Sequence, residues 1–388
     1  MTADGRGGGD LRLEVVEDIH DVPESIWDAI LDPDDLQATH RFVRTCQESG
    51  VEDATYRHVV VTDEAGTAAI ATLCSLGVRL DLLAPAAIRR PLTALRRLMP
   101  GLLSFDMAVC GLPVSFNQSC LRVRSGVAVD AVVPLIEAET ARFAEEVGAR
   151  IRCYKELSTE EHQAVGAEVE RSGYLKAYSL PSCHIDLPWE NFEEYLAAMR
   201  AGYRRQLSAT LRLRDEHGLR VRSVPDVGSM VDEIAPLYDQ VMDRAEHQLE
   251  RLNRAFFERL AANLPEAHGL ILQDAEGRPL AGAVLLRGPT RSTFLIAGID
   301  YARNRRHSAY ENLVTAVVKQ AIEWGSCSLE MGQTSLPLKT RLGATPADRW
   351  LYLRHANPTW QRILSAGGPL LFPRATVPAR RVFRTGRR

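Results

Sequence analysis

The most regular hydrophobic pattern in this chain lies between residues 292 and 343. Alternating apolar residues over 293–299 and an apolar run that ends at Met331 each predict a strand. Between them, apolar side chains recur at helical spacing up to Trp324, and Gly325 follows as a residue type that ends helices. The pattern therefore predicts a strand, a loop, a helix and a second strand, in that order.

A basic loop precedes the predicted helix and carries Arg303, Arg305 and Arg306. Ser308 and Glu311 have the S-x-x-E spacing of a capping box, in which both side chains accept hydrogen bonds from backbone N–H groups at the helix start. A helix N-terminus favours an anion because free N–H groups and the positive end of the helix dipole meet there. We therefore expect the loop and Ser308 to bind donor phosphates; a solvated arginine loop is the competing interpretation.

Two segments of the chain repeat the same series of elements. A hairpin with a D-x-x-G turn occurs at 63–66 and again at 274–277, an offset of 211 positions. An amphipathic helix that ends at a glycine and leads into a strand occurs at Gly148 and at Gly325, an offset of 177 positions. The offsets differ by 34, and the first copy has an additional basic, apolar segment at 82–104 that predicts a helix. One βαβ-containing unit is therefore present twice.

The repeat predicts an α/β (mixed α+β) fold of two tandem units, each a twisted mixed sheet flanked by helices. Strands at 175–187 and 350–355 are expected to complete the first and the second unit, and one helix over 192–216 to connect them. The predicted parts are a disordered, glycine-rich leader (1–10), a first unit on the acceptor side (11–188), a second unit on the catalytic and donor side (189–366) and a basic tail (367–388), which we expect to be mobile from Pro373 onward.

Composition narrows the classes of function. The net charge of −3 gives no strong overall attraction to polyanions, so any such affinity must come from local clusters. Seven scattered cysteines without C-x-x-C spacing predict reduced thiols, and no apolar run is long enough for a membrane span, so we expect a cytoplasmic protein. We expect no metal and no resident cofactor, because zinc-ligand, G-x-S-x-G and P-loop motifs are absent from the sequence. A Cys110–His355–Asn357 hydrolase is an alternative to a buried structural cysteine.

Two short motifs follow the second predicted strand: Met331-Gly332-Gln333 and Leu338-Lys339-Thr340-Arg341-Leu342-Gly343. Together with the repeated unit, they resemble the tandem acyltransferases of the GNAT superfamily and, within it, the Fem-type aminoacyltransferases, which usually have an aromatic residue at the place of Leu338. The resemblance covers about residues 53–357. It implies transfer of an aminoacyl group from aminoacyl-tRNA to a small-molecule or peptide-like acceptor, as in cell-wall branching and natural-product ligation.

The motif and its surroundings supply the candidate site residues. The resemblance implies that Lys339 stabilises the negative charge that develops on the carbonyl oxygen; a surface lysine is the alternative. By position, Glu330 is a candidate general base if burial raises its pKa, against a structural carboxylate. Arg341 is a candidate phosphate ligand, against a solvated arginine. Asp300 and Tyr301, at the end of the strand before the basic loop, are candidates for holding the acceptor amine.

The loop before the helix bears on the identity of the donor. GNAT enzymes that use coenzyme A resemble one another in a Q/R-x-x-G-x-G/A loop, whose glycines let backbone N–H groups approach the pyrophosphate. Residues 304–309 are Asn-Arg-Arg-His-Ser-Ala, and side chains with a Cβ block that approach. Aminoacyl-tRNA is therefore the expected donor. The alternatives are an acyl-CoA-dependent N-acyltransferase with an unusual loop and a non-catalytic RNA- or membrane-binding protein.

Arginine clusters predict where tRNA would bind. No acidic residue occurs over 197–214, and we expect Arg200, Arg204 and Arg205 to contact tRNA phosphates, with a solvated helix face as the alternative. The segment at 82–104 also suits peripheral contact with an anionic membrane.

Overall fold

The computed structural model describes residues 11–79, 104–114, 116–245, 251–375, 377 and 380–384. The predicted leader at 1–10 and the predicted helix at 82–104, apart from Ser104, lie outside these residues. In the described part, the chain forms two mixed sheets flanked by α-helices, which confirms the predicted α/β (mixed α+β) class with two units. No helix of this part is both long and apolar enough to cross a membrane.

Fifteen strands occur in the described ranges, and most of them coincide with the alternating or continuous apolar runs of the sequence. In chain order they are β1 (Arg12–Val16), β2 (Tyr56–Asp63), β3 (Gly66–Arg79), β4 (Ser104–Cys110), β5 (Leu121–Val123), β6 (Ile151–Leu157), β7 (Leu175–Tyr178), β8 (Ser182–Asp186), β9 (Arg220–Val224), β10 (Ala267–Gln273), β11 (Pro279–Arg287), β12 (Arg291–Ile299), β13 (Ser328–Gly332), β14 (Thr345–Ala347) and β15 (Trp350–His355).

Each sheet contains one parallel pair of strands. The first sheet has the order β1-β2-β3-β4-β6-β15-β7, with β5 paired to β3, and the second has the order β14-β8-β13-β12-β11-β10-β9. The pairs β4–β6 and β12–β13 are parallel and all other pairs are antiparallel. A parallel pair needs a crossover connection, and a helix supplies it in both units.

Helices cover the faces of both sheets. The helix that connects each parallel pair of strands packs on that pair. Two further helices, one from each unit, pack against each other and join the units. The helices of the described ranges are α1 (Glu24–Trp27), α2 (His40–Glu48), α3 (Val129–Glu146), α4 (Thr159–Arg171), α5 (Phe192–Ala198), α6 (Ala201–Glu216), α7 (Val231–Arg244), α8 (Arg254–Asn263), α9 (Tyr301–His307), α10 (Ala309–Glu323), α11 (Leu336–Arg341) and α12 (Pro358–Leu371).

Both predicted D-x-x-G hairpins are present. In the β2–β3 turn, the Asp63 carboxylate accepts a hydrogen bond from the backbone N–H two residues on at 2.8 Å, and Gly66 has φ +109°. In the β10–β11 turn, Asp274 accepts the equivalent hydrogen bond at 3.1 Å, and Gly277 has φ +80°. Glycine is needed at these positions because a side chain disfavours positive φ.

The two units exchange strands. β15 lies in the first sheet, between β6 and β7, and β8 lies in the second sheet, between β13 and β14. The prediction that 175–187 completes the first unit is right for β7, which lies in the first sheet, and wrong for β8. The prediction that 350–355 completes the second unit is wrong, and a boundary at 188/189 does not separate the sheets. An apolar alternation predicts that a segment is a strand and which face it buries, but it does not specify the partner strand.

The units also share a hydrophobic core. α2 of the first unit packs against α8 of the second, where the Phe42 and Phe256 rings meet edge to face at 6.4 Å. The Arg41 guanidinium forms an ion pair with Glu266 at 2.8 Å across the same interface. Asp34 accepts hydrogen bonds at 2.9 Å from two backbone N–H groups at the start of β12. The two units thus bury part of their apolar surface against each other.

The helix predicted over 192–216 is two helices, α5 and α6, that break at Met199. At the break, Met199 forms an antiparallel bridge with Phe383, and the Arg200 backbone N–H donates to the Val382 carbonyl at 2.8 Å. A pattern of apolar spacing does not reveal this break, because the partner lies 184 residues further along the chain.

The predicted basic tail at 367–388 is partly ordered. Its first residues belong to α12, which ends at Leu371. Val382 is buried, and the Phe383 ring packs on Trp189 with 4.6 Å between ring centroids. The prediction of a mobile tail is therefore wrong for 380–384, and the residues after Arg384 lie outside the described part.

The strand exchange predicts that the two halves of the chain do not fold separately. Residues 11–188 produced alone lack β15, so β6 and β7 each lose a partner strand and expose unpaired edges. We expect this fragment to show no cooperative thermal transition by circular dichroism. Co-expression with residues 189–388 should restore a complex that unfolds cooperatively. A separately folded 11–188 fragment would contradict the exchange.

Candidate functional site

The site lies where the parallel pair β12–β13 opens. The two strands are paired only from Arg291–Ser328 to Thr293–Glu330, and a bulge opposite Val284 displaces the next residues of β12. Past this point the strands diverge, which leaves room between them at the centre of the second sheet. The candidate lysine enters from the connection that follows β13.

The motif with that lysine is a short helix held between two strands. α11 connects β13 to β14, and both of these strands pair with β8. The connection uses three positive-φ positions, Gly332 (+73°), Ser335 (+56°) and Gly343 (+101°). A Cβ on Gly343 would also overlap the Phe383 ring. The glycine of the motif is therefore required both by its backbone conformation and by the C-terminal segment that packs on it.

Lys339 is buried, with 2% of its surface exposed. Its ammonium nitrogen lies 5.8 Å from the centroid of the Phe294 ring and 3.9 Å from the position that a Cβ on Gly332 would take. Within the described ranges, the ammonium group makes no hydrogen bond and no ion pair. Burial lowers the pKa of Lys339 to about 8. The alternative of a surface lysine is thus excluded by its burial.

Cys183 of β8 is the neighbour of this lysine. It pairs with Gly332, and burial raises the pKa of its thiol to about 11, which Lys339 opposes and Glu330 reinforces. The thiol is therefore neutral near pH 7 and supplies no counter-charge to the ammonium group. The scattered cysteine pattern of the sequence gave no sign of this contact.

Glu330 lies on β13 two residues before Gly332, and a bulge separates them, so that Glu330 pairs with His184 and Gly332 with Cys183 of β8. It is half-buried, and its carboxylate accepts a hydrogen bond from the Asn117 side chain of the first unit at 3.4 Å. Arg349 donates to the Asn117 carbonyl at 3.1 Å. Residues of both units therefore border the opening of β12 and β13.

Glu156 of the first unit is a site neighbour that the sequence patterns did not predict. It lies in a bulge of β6 opposite β15, has φ +61° and is buried. Its carboxylate accepts hydrogen bonds from Ser179 at 3.0 Å and from the Gln333 side chain at 2.5 Å. Burial raises the pKa of Glu156. Glu156 and Gln333 are 177 positions apart, the same offset as the repeated helices, so they occupy equivalent positions of the two repeats. The offset alone does not predict a contact between them.

The predicted basic loop is a helix, α9, and the predicted capping box is wrong. Ser308 adopts φ +45° between α9 and α10 and its side chain caps neither helix. The Asn304 side chain instead accepts a hydrogen bond from the Tyr310 backbone N–H at 2.9 Å. A capping box needs an extended residue at the helix start, and the left-handed turn at Ser308 excludes that geometry.

Three of the predicted donor ligands line one open pocket of about 480 Å³ between α10 and α11: Arg305, Ser308 and Arg341. The Arg341 guanidinium forms an ion pair with Glu311 at 2.8 Å, so Arg305 is the lining cation that has no ion pair among the described residues. A smaller pocket next to it shares Glu311, Leu338 and Arg341 and is closed on its other side by α6. Leu338 thus lines both pockets and directly precedes Lys339 in the chain.

Arg303 and Arg306 do not line this pocket. Arg303 turns back to Asp300 at 3.5 Å and to Asp274 at 3.9 Å, whereas Arg306 is exposed. Asp300 caps α9 by accepting hydrogen bonds from the backbone N–H groups of its first turn, and the Tyr301 ring packs under Arg244 at 4.5 Å. The acceptor-binding roles of Asp300 and Tyr301 stay predictions.

Arg200, Arg204 and Arg205 lie at the start of α6, beside the residues of that helix that line the smaller pocket. Arg200 donates to the Phe383 carbonyl at 3.3 Å, and Arg204 donates to the Ala197 carbonyl at 3.5 Å. Arg205 is exposed and makes no ion pair in the described ranges.

The geometry does not support the cysteine-hydrolase alternative, because the Cys110 thiol is not activated as a nucleophile. Cys110 is buried in β4, and burial raises the pKa of its thiol well above the ordinary value. Asn357 accepts hydrogen bonds from two backbone N–H groups at the start of α12. All seven cysteines are free thiols.

Comparisons with known proteins agree with this geometry. Residues 197–340 match the family model of the acetyltransferase (GNAT) domain. The structure of FemX is similar to this chain with a TM-score of 0.55 and 12% sequence identity over 91% of this chain and 100% of that one. A tandem GNAT protein from the clavulanic acid biosynthesis pathway is similar with a TM-score of 0.50 and 12% identity over 89% of this chain and 99% of that one. No curated protein sequence matches the chain.

The chain therefore has a tandem GNAT fold, and residues 197–340 of its second half match the GNAT domain. Within that class it resembles Fem-type proteins, as the sequence motifs indicate. The matched range includes α9, α10, β13 and Lys339, which are the elements that build the site.

Burial of an uncompensated cation predicts that Lys339→Met stabilises the fold at neutral pH. The pKa of Lys339 is about 8 in the folded chain, against 10.5 for a free lysine. Because one pKa unit corresponds to about 1.4 kcal/mol, the gain is at most about 3 kcal/mol at pH 7. The wild type itself gains stability as the pH rises from 8 to 10.5, so the difference between the two proteins should narrow in that window.

Thermal unfolding at pH 7 and at about pH 9.5, inside that window, measures this difference. Lys319→Met, at an exposed lysine of α10, is the matched control and should change the melting temperature little at either pH. A Lys339→Met variant that is less stable than the wild type at pH 7 would mean that the ammonium group has a counter-charge.

Proposed function

We propose that the protein is an aminoacyltransferase, which moves an aminoacyl group from aminoacyl-tRNA to an amine or hydroxyl of a small-molecule or peptide-like acceptor. The observation that carries this proposal is the buried ammonium group of Lys339, which has no counter-charge among the described residues. The residue before it, Leu338, lines a pocket together with Arg305. A cation held without a partner is suited to a negative charge that exists only during the reaction.

The chemistry follows from the positions of two side chains. The acceptor nitrogen or oxygen attacks the ester carbonyl, and Lys339 stabilises the oxyanion that forms. The bond from the carbonyl carbon to the ribose oxygen then breaks, and that oxygen takes up a proton. Glu330 is the candidate to receive the proton from the attacking group, because it is a half-buried carboxylate on β13, the strand that leads into the motif with Lys339.

Two features support tRNA over coenzyme A as the donor. The Asn304 side chain accepts a hydrogen bond from the Tyr310 backbone N–H at the start of α10, so this N–H is not free to bind a phosphate. A glycine-rich loop would present free N–H groups to a pyrophosphate at this place. Arg305 and Arg306 on α9 and Arg205 on α6 are exposed cations near the pocket. Such a surface suits an extended phosphate backbone, which arginines bind through charge-assisted hydrogen bonds. An acyl-CoA donor is the second candidate, favoured by the open volume of the pocket.

The role of Lys339 predicts a large loss of turnover in Lys339→Ala. Loss of one oxyanion-stabilising group lowers turnover on the order of 10²-fold or more, while binding of the donor is retained. Since only the charged lysine acts, the wild-type rate should fall about tenfold per pH unit above pH 8. The residual rate of the variant should lack this fall. Product formation from labelled aminoacyl-tRNA and a panel of amines, detected by mass, measures both.

Lys319→Ala is the matched control for this experiment, because it removes an exposed lysine of the same unit. Near-normal turnover in Lys339→Ala would exclude the oxyanion role. If no donor yields a product with wild-type protein, the fold acts as a binding module and the enzymatic proposal is wrong.

The arginine surface predicts salt-dependent tRNA binding. Changing Arg205, Arg305 and Arg306 together to Gln should weaken binding and reduce the slope of log K against log salt by about 2, since each lost phosphate contact contributes about 0.7 to 0.9. Fluorescence anisotropy of labelled tRNA at several salt concentrations measures the slope. The matched control changes Arg142, Arg171 and Arg259, three exposed arginines on other helices, to Gln.

Coenzyme A serves as the competitor in the same titration. Binding that coenzyme A does not displace supports the tRNA donor. Displacement by coenzyme A would replace it by the acyl-CoA donor, and an unchanged slope in the triple variant would assign these arginines to a solvated surface.

A further inference from the structure

Three large apolar side chains of α12 are open to solvent. Trp360 is 59% exposed, Ile363 is 55% exposed and Leu371 is 50% exposed. The other large apolar side chains that solvent reaches in the described ranges belong to separate elements and are at most 43% exposed. Exposed apolar groups scattered singly are ordinary on protein surfaces, whereas a group on one element needs an explanation.

The three side chains form one stripe. At about 100° per residue, positions 360, 363 and 371 fall within an arc of about 80° on the helix. The adjoining side of α12 attaches it to the first sheet: the Gln361 side chain accepts from the His355 backbone N–H at 2.7 Å and donates to the Gly173 carbonyl at 3.1 Å. The helix is therefore held in place without the stripe, which stays available for a partner.

The segment of the chain that contains the stripe carries charge of one sign. From Arg349 to the last residue, the 40 residues contain nine arginines and no aspartate or glutamate. Arg362 lies within α12, is exposed and forms no ion pair with any described residue. Arg374, just after the helix, is 64% exposed and forms an ion pair with Asp348 at 2.7 Å. An apolar stripe in a segment of this composition is complementary to a surface that is both apolar and anionic.

We infer that the stripe of α12 docks the protein on an anionic lipid membrane. The bilayer interface accepts tryptophan, aliphatic side chains and arginine together, whereas RNA offers phosphates and base faces but no place to bury Ile363 and Leu371. The 14-residue helix is about 21 Å long, shorter than the roughly 30 Å hydrocarbon core, so it lies in the plane of the interface. Anionic headgroups add attraction for each nearby arginine.

Sedimentation with lipid vesicles tests this inference on the full chain. The wild type should sediment with phosphatidylcholine vesicles that contain phosphatidylglycerol and stay in solution with pure phosphatidylcholine. Trp360→Ser combined with Ile363→Ser should lower the partition coefficient about tenfold or more, because both side chains leave the interface. Arg362→Gln, which keeps the apolar stripe, should weaken binding to the anionic vesicles.

The matched control changes Ile26 and Leu180, two exposed apolar residues on other elements, to Ser and should bind as the wild type does. Equal melting temperatures show that the variants are folded. The inference is overturned if the wild type does not bind anionic vesicles or if the double variant binds them normally. It is also overturned if the double variant binds vesicles normally but no longer self-associates or no longer binds tRNA. The stripe would then contact a second copy of the chain or RNA.

Discussion

Strand β8 holds the candidate site together. It comes from the first half of the chain, yet it pairs with β13 on one side and β14 on the other, and the motif with Lys339 is the connection between these two strands. Tyr195 adds a hydrogen bond to the Leu342 carbonyl at 2.7 Å, and Phe383 packs on Gly343. The lysine is therefore positioned by three segments that are distant in sequence, and the exchange of β8 and β15 makes its geometry a property of the whole chain.

The buried charge of Lys339 lowers the stability of the segment that holds it. A buried ammonium group without a partner lowers the stability of the fold. Ser335 adds backbone strain, because it has a positive φ and, unlike Gly332 and Gly343, carries a side chain. The surrounding pairing of β13, β14 and β8 has to compensate for both. Sites that carry out chemistry commonly retain such unfavourable groups, because the charge is needed in the transition state and is selected for that reason.

Local features of the fold could be predicted from the sequence, and long-range features could not. The D-x-x-G hairpins, the helix that ends at Gly325 and the repeated unit depend on neighbouring residues, so their patterns are visible in the chain. The partner strands of β8 and β15, the break at Met199 and the ordered Phe383 depend on contacts between residues far apart. The same distinction holds at the site, where the motif pointed to Lys339 but its burial follows from tertiary packing. The capping box failed because the turn at Ser308 is left-handed, which its spacing to Glu311 does not reveal.

The contact between Glu156 and Gln333 shows how the first unit takes part in a site built mainly by the second. Equivalent positions of two repeats can touch only where the units face each other, so this hydrogen bond lies at the junction of the two units. Glu156 reaches it through a bulge that turns its side chain out of β6, a device that redirects side chains at functional sites. Gln333 directly follows Gly332, which faces the ammonium group of Lys339. One hydrogen bond and one glycine therefore separate the Glu156 carboxylate of the first unit from the ammonium group of Lys339.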